Sequence, residues 1–465
     1  MKAELRHGDN GVGAARPPAS VRAEPAGRRT ETVAEVMGPL LRRLFGPEMP
    51  MQFGFWDDSL VGPDTGARLV VRSPEAFRRL LWAPGELGMA RAYVAGDLDL
   101  EVTGSGEAGR DGMAGVLKRL HDATSRELPA PSAMALPLID AARKLKLFGS
   151  PPPPPAAEVR LSGPLKTGLH SKERDAAAIR HHYDIGNEFY ELVLGPAMTY
   201  SCARFESPEA TLEQAQASKH ELVCRKLGLA EEHDGGPRRL LDVGCGWGSM
   251  VMHAALHHGA QAVGVTLSPA QAESARRRVA DAGLSEEVEI RVQDYRELTG
   301  ERFDAVSSIG MFEHVGKSRM GEYFSTIHRL LRPTGRLLNH AISKVGGSRM
   351  RGRTFMNRYV FPDGELIDVA EVVEGMERAG FEVRDVESLR EHYAVTLRHW
   401  VANLEQHWDA AVALVGEERA RVWRFYMSAS VNAFEDGGIA VHQVLGVKPD
   451  ASGRSGVPAT RSAWG

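Results

Sequence analysis

The chain has 465 residues, enough for two domains. Its 43% apolar and 25% charged residues are ordinary for a globular protein, and a net charge of −4 gives no global basic field, so no nucleic-acid partner is expected. No apolar run approaches the ~18 residues that a membrane-spanning helix needs. Residues 1–31, rich in Gly, Pro, Ala and Arg, lack the apolar segment of a signal peptide and read as an unfolded leader in the cytoplasm. A first domain is expected over 32–149. It mixes short strands (MQFGFW, ARLVVRS) with basic amphipathic helices (AFRRLLW, AARKLKLFG), either ordinary solvated faces or surfaces that lie on an anionic membrane. Five prolines, Pro151–Pro155, open a stiff linker over 150–172. Over 173–450 the strands RLLDVG, QAVGVTL, VEIRVQD, FDAVSSIG, GRLLNHAIS, FEVRDVES and VHQVLGVK alternate with helical stretches such as SPAQAESARRRVADAG and YFSTIHRLLRP. This alternation predicts an α/β domain, a mostly parallel sheet with helices on both faces, whose ligand binds outside the carboxyl ends of the strands. Residues 451–465 read as an unfolded tail. The cysteines, Cys202, Cys224 and Cys245, are odd in number and form no CxxC pair, so neither disulfides nor a zinc site is expected.

The stretch LLDVGCGWG (240–248) places Gly244, Gly246 and Gly248 at alternate positions between a strand and a helix. Glycine there lets a ligand approach the backbone. The spacing is G-x-G-x-G, not the G-x-G-x-x-G of a dinucleotide pyrophosphate site. It suits S-adenosylmethionine (SAM), which has no phosphates, and Asp242 just before the loop suits an ammonium group or a backbone donor. The second strand ends in GVTLSPAQ, with Thr266 where an acid would usually hold ribose hydroxyls; Gln271 is the nearest substitute. In VQDYREL, Asp294 is placed to accept from the adenine amine and Tyr295 to stack on the base.

The motifs IRHHYDIGNEFYELVLGPAMTYSCARFE, LLDVGCGWG, GVTLSPAQ, QDYREL, SSIGMFEHVG, NRYVFPDG and HYAVTLRHW resemble those of the cyclopropane-fatty-acyl-phospholipid synthases and the related mycolic acid methyltransferases. The resemblance runs from about residue 178 to 448, and VVRSPEAFRRLLWAPGELGMARAYVAGDLDLEV extends it toward the synthases' smaller N-terminal α+β lipid-binding domain. It implies a class I SAM-dependent methyltransferase fold, Rossmann-like, with a seven-stranded sheet. It also implies SAM contacts at Tyr200, Ser201, Gly244, Cys245 and Gly246, a ribose side formed by Thr266, Leu267 and Gln271, and adenine between Tyr295 and Ile309. A bicarbonate ion is implied at Cys202, Glu313, His340, Ile342 and Tyr393, with main-chain contributions at Cys202 and Ile342. A homodimer is implied as well.

The implied reaction transfers a methyl group from SAM to a cis double bond of a phospholipid acyl chain. The alkene needs positioning rather than activation. The resulting carbocation loses a proton from the new methyl to bicarbonate, closing a cyclopropane. Water must stay out, and Tyr183, Phe189, Tyr190 and Trp400 are candidates to face the cation. His181, His182 and His314 are assigned supporting roles only. A different proton exit gives a methylene- or methyl-branched chain that a reductase partner saturates. A catalytically inactive lipid- or SAM-binding protein would lack the bicarbonate residues, and a methyltransferase for a soluble small molecule would leave the first domain without a purpose. Substrate in a bilayer implies surface docking at the inner face of the membrane, for which the basic helices of the first domain are suited.

Overall fold

The computed structural model describes residues 31–104, 112–124, 131–158, 185–229, 231, 236–346, 355–362 and 364–464. The expected leader over 1–30, most of the linker, and Tyr183, His181 and His182 lie outside the described residues. Strands β1 (Gln52–Phe55), β2 (Leu60–Val61), β3 (Ala67–Val71) and β4 (Leu98–Val102) form a sheet in the order β2-β1-β3-β4, with β1 and β3 parallel. The stretch AFRRLLW is helical within Pro74–Trp82, started by the Ser73 hydroxyl accepting from Glu75 N at 3.2 Å and by proline at the first position. AARKLKLFG is helical only in its first half: the helix Pro131–Lys144 stops, and Lys146 turns the chain at φ +55°.

The larger sheet contains β5 (Arg239–Val243), β6 (Gln261–Thr266), β7 (Val288–Val292), β8 (Phe303–Ile309), β9 (Leu331–Lys344), β10 (Glu382–Ser388) and β11 (Ile439–Val447). Every strand read from the 173–450 sequence is present. The order is β10-β11-β9-β8-β5-β6-β7, parallel except where β11 pairs with β9 and β10. The central strands are buried along nearly their whole length, which explains their unbroken apolar runs. The chain leaves β5 toward β6 and β7, then returns to β8 on the other side, so a crevice opens beyond the carboxyl ends of β5 and β8.

The two expected domains share one core. Val33, Phe53 and Tyr93 belong to the same buried apolar cluster as Phe189, Trp400 and Val431. Arg421, on the helix Glu417–Glu435, fastens them: its Nε donates to Tyr93 O (2.7 Å), its Nη2 to Leu98 O (2.8 Å), and its guanidinium lies 4.3 Å over the Tyr93 ring. The proline run is held down rather than free, since Arg78 donates to Ser150 O (2.5 Å) and Arg79 to Pro153 O (2.6 Å). The expected unfolded tail also packs: Trp464 is buried against Leu222 and Leu445, and Arg461 pairs with Asp385 at 2.5 Å. An apolar side chain and a charge partner outweigh the small-residue composition from which disorder was read.

Arg421→Met should lower unfolding stability by about 3 kcal/mol, because it strips charged donors from two buried carbonyls. Urea denaturation checks this, and an unchanged midpoint would show that the two parts hold together without the guanidinium.

Candidate active site

The turn after β5 is built from left-handed residues: φ is +82° at Gly244, +53° at Gly246 and +83° at Gly248. A Cβ at Gly244 would also stand 2.9 Å from Met311 Cβ. The Gly244 and Cys245 amides both donate to Val265 O (2.9 and 3.0 Å), drawing the ends of β5 and β6 together. The helix Ser249–His258 follows at once.

A cavity of about 1150 Å³, counting its open mouth, lies on this turn. Tyr200, Ser201, Asp242, Gly244, Cys245, Gly246, Thr266, Leu267, Gln271, Asp294, Tyr295 and Ile309 all line it. At the end of β6, where the acid is missing, Thr266 Oγ1 donates to Gln271 Oε1 at 3.0 Å. Asp242 accepts from Ser307 Oγ at 2.6 Å, and burial lifts its pKa to about 6. Asp294 lines the cavity and also pairs with its neighbour. Both of its oxygens bind the Arg296 guanidinium, Oδ1 to Nε at 2.9 Å and Oδ2 to Nη2 at 2.7 Å, and Oδ1 also accepts from the Arg296 amide. These bonds shape the short turn Tyr295–Glu297.

Sequence reasoning missed Lys219, which also lines this cavity. It is 1% exposed, and its Nζ donates to Ser201 Oγ at 3.0 Å. Burial pulls its pKa down to about 7, against the pull of Cys202 and Asp242. A lysine in a helix reads as a solvated residue; only its place at i+3 from Gln216, itself buried and donating to Ser201 O, marks the inward face.

A second cavity, about 840 Å³ with its mouth, adjoins the first through three shared wall residues, Tyr200, Gly310 and His314. Apolar and aromatic groups dominate its lining, among them Met356, Phe361, Leu397, Tyr426 and Phe434. Glu313, Ile342 and Tyr393 face it together. Glu313 stands on the short turn Phe312–His314 after β8, and its Oε1 accepts from Ile342 N at 2.7 Å. Its Oε2 is buried without a hydrogen-bond partner among the described residues. Burial raises its pKa to about 7, opposed by that amide. The Ile342 amide is thus committed to Glu313 and not free for an anion.

His340 and Cys202 do not line either cavity. His340 sits behind the wall in β9, its Nδ1 3.3 Å from Gln443 Nε2 and its Nε2 unpartnered among the described residues; burial pulls its pKa to about 3 and keeps the ring neutral. Cys202 is fully buried and donates its S–H to backbone oxygens of Ala203 and Leu389 at 3.2 and 3.5 Å; burial pushes its thiol pKa far up. The aromatic expectations also shift. Phe189 and Tyr190 are packing residues against Trp423, and Trp400 lies behind Tyr200 and Tyr393, with ring centroids 5.3 and 6.1 Å away. The cavity instead presents Phe361, Tyr426 and Phe434, and His314, assigned only a supporting role, stands in the shared wall.

Glu313 also affects stability. Its pKa rises from 4.5 to about 7 on folding, so the folded state holds the proton more tightly and stability falls as pH climbs from about 4.5 to 7. Glu313→Gln keeps the acceptor for Ile342 and removes the buried charge. At pH 8 it should be more stable than the parent by up to roughly 3 kcal/mol, with no gain at pH 4. Denaturation at both pH values checks this; equal stability of the two proteins at pH 8 would show that Glu313 is not strained by burial.

Comparison with known proteins agrees with this geometry. The family model described as mycolic acid cyclopropane synthetase matches residues 170–444. The chain is 43% identical over 411 residues to a probable fatty acid methyltransferase of Mycobacterium tuberculosis, covering 88% of this chain and 93% of that protein. It is 34% identical over 287 residues to the cyclopropane-fatty-acyl-phospholipid synthase of Escherichia coli, covering 62% and 72%. Among solved structures, mycolic acid cyclopropane synthase CmaA1 complexed with SAH and CTAB superposes with a TM-score of 0.55 at 35% identity, over 58% of this chain and 97% of that one. With a class I methyltransferase sheet, a glycine turn of this spacing and a family match over more than half its length, the chain belongs to the mycolic acid cyclopropane synthetase family of SAM-dependent methyltransferases.

Proposed function

We propose that the protein adds a methylene unit from SAM across the cis double bond of an unsaturated phospholipid acyl chain, giving a cyclopropane. The observation that carries this reading is the wall shared by the two cavities: the pocket at the glycine turn abuts a mostly apolar chamber that holds a carboxylate whose second oxygen has no partner among the described residues. A relative in the same family is bound to SAH together with CTAB, a ligand with a long alkyl chain, which supports both occupants.

In this reading the glycine turn and the Thr266–Gln271 pair hold SAM, and Tyr200 and Gly310 set its sulfonium against the alkene. The π electrons bond to the methyl carbon as the carbon–sulfur bond breaks and SAH forms. The acyl chain now carries a cation, which Tyr426, Phe361 and Phe434 shield from water. A proton leaves the new methyl, and the freed C–H pair closes the ring. Bicarbonate fits the bare Oε2 of Glu313 with Tyr393 alongside, and would supply the base for that proton. The neutral ring of His340 and the un-ionised thiol of Cys202 back this corner without adding charge.

A second reading is favoured by the long match to a protein named a fatty acid methyltransferase, which covers too much of the chain to leave out the first domain. It keeps the methyl transfer and changes which proton leaves, giving a branched alkene for a reductase partner to saturate. Feeding methyl-deuterated methionine to a synthase-deficient bacterium that expresses the protein separates the two. A cyclopropane retains two of the three deuterons and resists mild hydrogenation; a branched alkene takes up hydrogen. Unlabelled acyl chains in cells whose purified protein binds SAM would rule out both.

Delivery from the bilayer follows from the first domain. No described helix is long and apolar enough to cross a membrane. Trp82 (58% exposed) and Phe148 (63%) project beside each other, Trp82 Nε1 donating to Gly149 O at 3.2 Å, and Leu136 is 77% exposed on the helix that ends in Arg143 and Lys144. Apolar tips among cations suit peripheral docking on the anionic inner face of the membrane, where a homodimer would present two such surfaces. The double variant Trp82→Ala/Phe148→Ala should sediment less with vesicles containing anionic phospholipid while binding SAM as the parent does; unchanged sedimentation would move the docking surface elsewhere.

A further inference from the structure

Away from both cavities, the helices Leu212–Leu227 and Ser249–His258 lie side by side and bring four ligand-type side chains together. The Cys224 sulfur and one ring nitrogen from each of His253 and His258 lie within 4.8 Å of one another. The Nε2 atoms of both histidines also face a single oxygen, Glu221 Oε2, at 3.3 and 2.9 Å. The other Glu221 oxygen accepts from Arg225 Nε at 2.7 Å, which steadies the carboxylate. Cys224 is fully buried, and the His253 and His258 side chains are only 12% and 9% exposed. The spacing of cysteines along the chain gave no reason to expect a metal, because this cluster forms only when two helices pack.

We propose that Cys224, His253, His258 and Glu221 bind a structural zinc ion. Tetrahedral zinc, with bonds of about 2.0–2.3 Å, sets its donors about 3.3–3.8 Å apart. The Cys224, His253 and His258 donors need to close by only about 1 Å, and Glu221 already faces the two imidazoles at 3.3 and 2.9 Å. A thiolate, two imidazoles and a carboxylate suit this borderline-soft ion, and four protein donors leave no open position for catalysis. None of the four lines either cavity. Binding would release the Cys224 proton to solvent, since the thiolate is the ligating form. His258 ends its helix, where the carbonyl dipoles favour a cation. The ion would clamp the far end of the helix that begins at the glycine turn, binding the native state alone and stabilising it.

The test uses the full chain without an added histidine tag, stripped of metal by a chelator and titrated with cobalt(II). One cobalt per chain is expected, with the absorption of a tetrahedral site and a thiolate-to-cobalt charge-transfer band. Cys224→Ser should lose that band although Cys202 and Cys245 remain. His258→Gln, changed near the surface, should bind at least about tenfold more weakly while retaining its circular dichroism and SAM binding. Zinc should raise the Tm of the parent and not of His258→Gln. Absence of cobalt binding at micromolar concentration overturns the proposal, as does a charge-transfer band that survives in Cys224→Ser. If that variant does not fold, undiminished affinity in His258→Gln overturns it equally.

Discussion

Three left-handed residues in five set the end of β5, and the site is arranged around that constraint. The turn can form only where side chains are absent, and it sends two successive amides to one carbonyl of β6. The chain then enters the helix Ser249–His258 at once, which leaves the G-x-G-x-G spacing rather than that of a pyrophosphate site. A ligand without phosphates fits such a turn, and the hydroxyl–amide pair at the end of β6 supplies polar contacts without adding charge. Beneath it Asp242 and Lys219 are both buried, and burial shifts each toward its uncharged form, the acid up to about 6 and the ammonium down to about 7.

The neighbouring chamber follows a different rule. Its walls are mostly apolar and aromatic, and Glu313 is the carboxylate among the described residues that line it. One oxygen of Glu313 is satisfied by the Ile342 amide and the other is bare. A buried acceptor without a partner among the described residues is costly, so its persistence points to use rather than packing. His340, two residues before Ile342 in β9, is held neutral by burial and adds no charge to compete with it.

Much of this was legible in the sequence because the signals are local. Strand runs, capping residues and the glycine spacing act over a few residues, and the pocket they form contains every residue assigned to it. What escaped depends on distant packing or on very short-range pairing. The pairing of Asp294 with the Arg296 guanidinium gave no signal, because neither residue type marks a bond two positions apart. Phe189 and Tyr190 were misread because the rotation of their helix toward Trp423 is not encoded in an aromatic pair. Lys219 and the Cys224–His253–His258 cluster need two helices in contact before they mean anything. The proline run announced a boundary, yet the arginines that fasten it lie some seventy residues earlier.

That fastening has a geometric consequence. The Arg421 bonds to the Tyr93 and Leu98 carbonyls, together with the shared apolar cluster, tie the small sheet to the large one. Under the function proposed above, a joint of this kind would make the separation of Trp82 and Glu313 a ruler, setting which unsaturation of a docked acyl chain reaches the methyl donor.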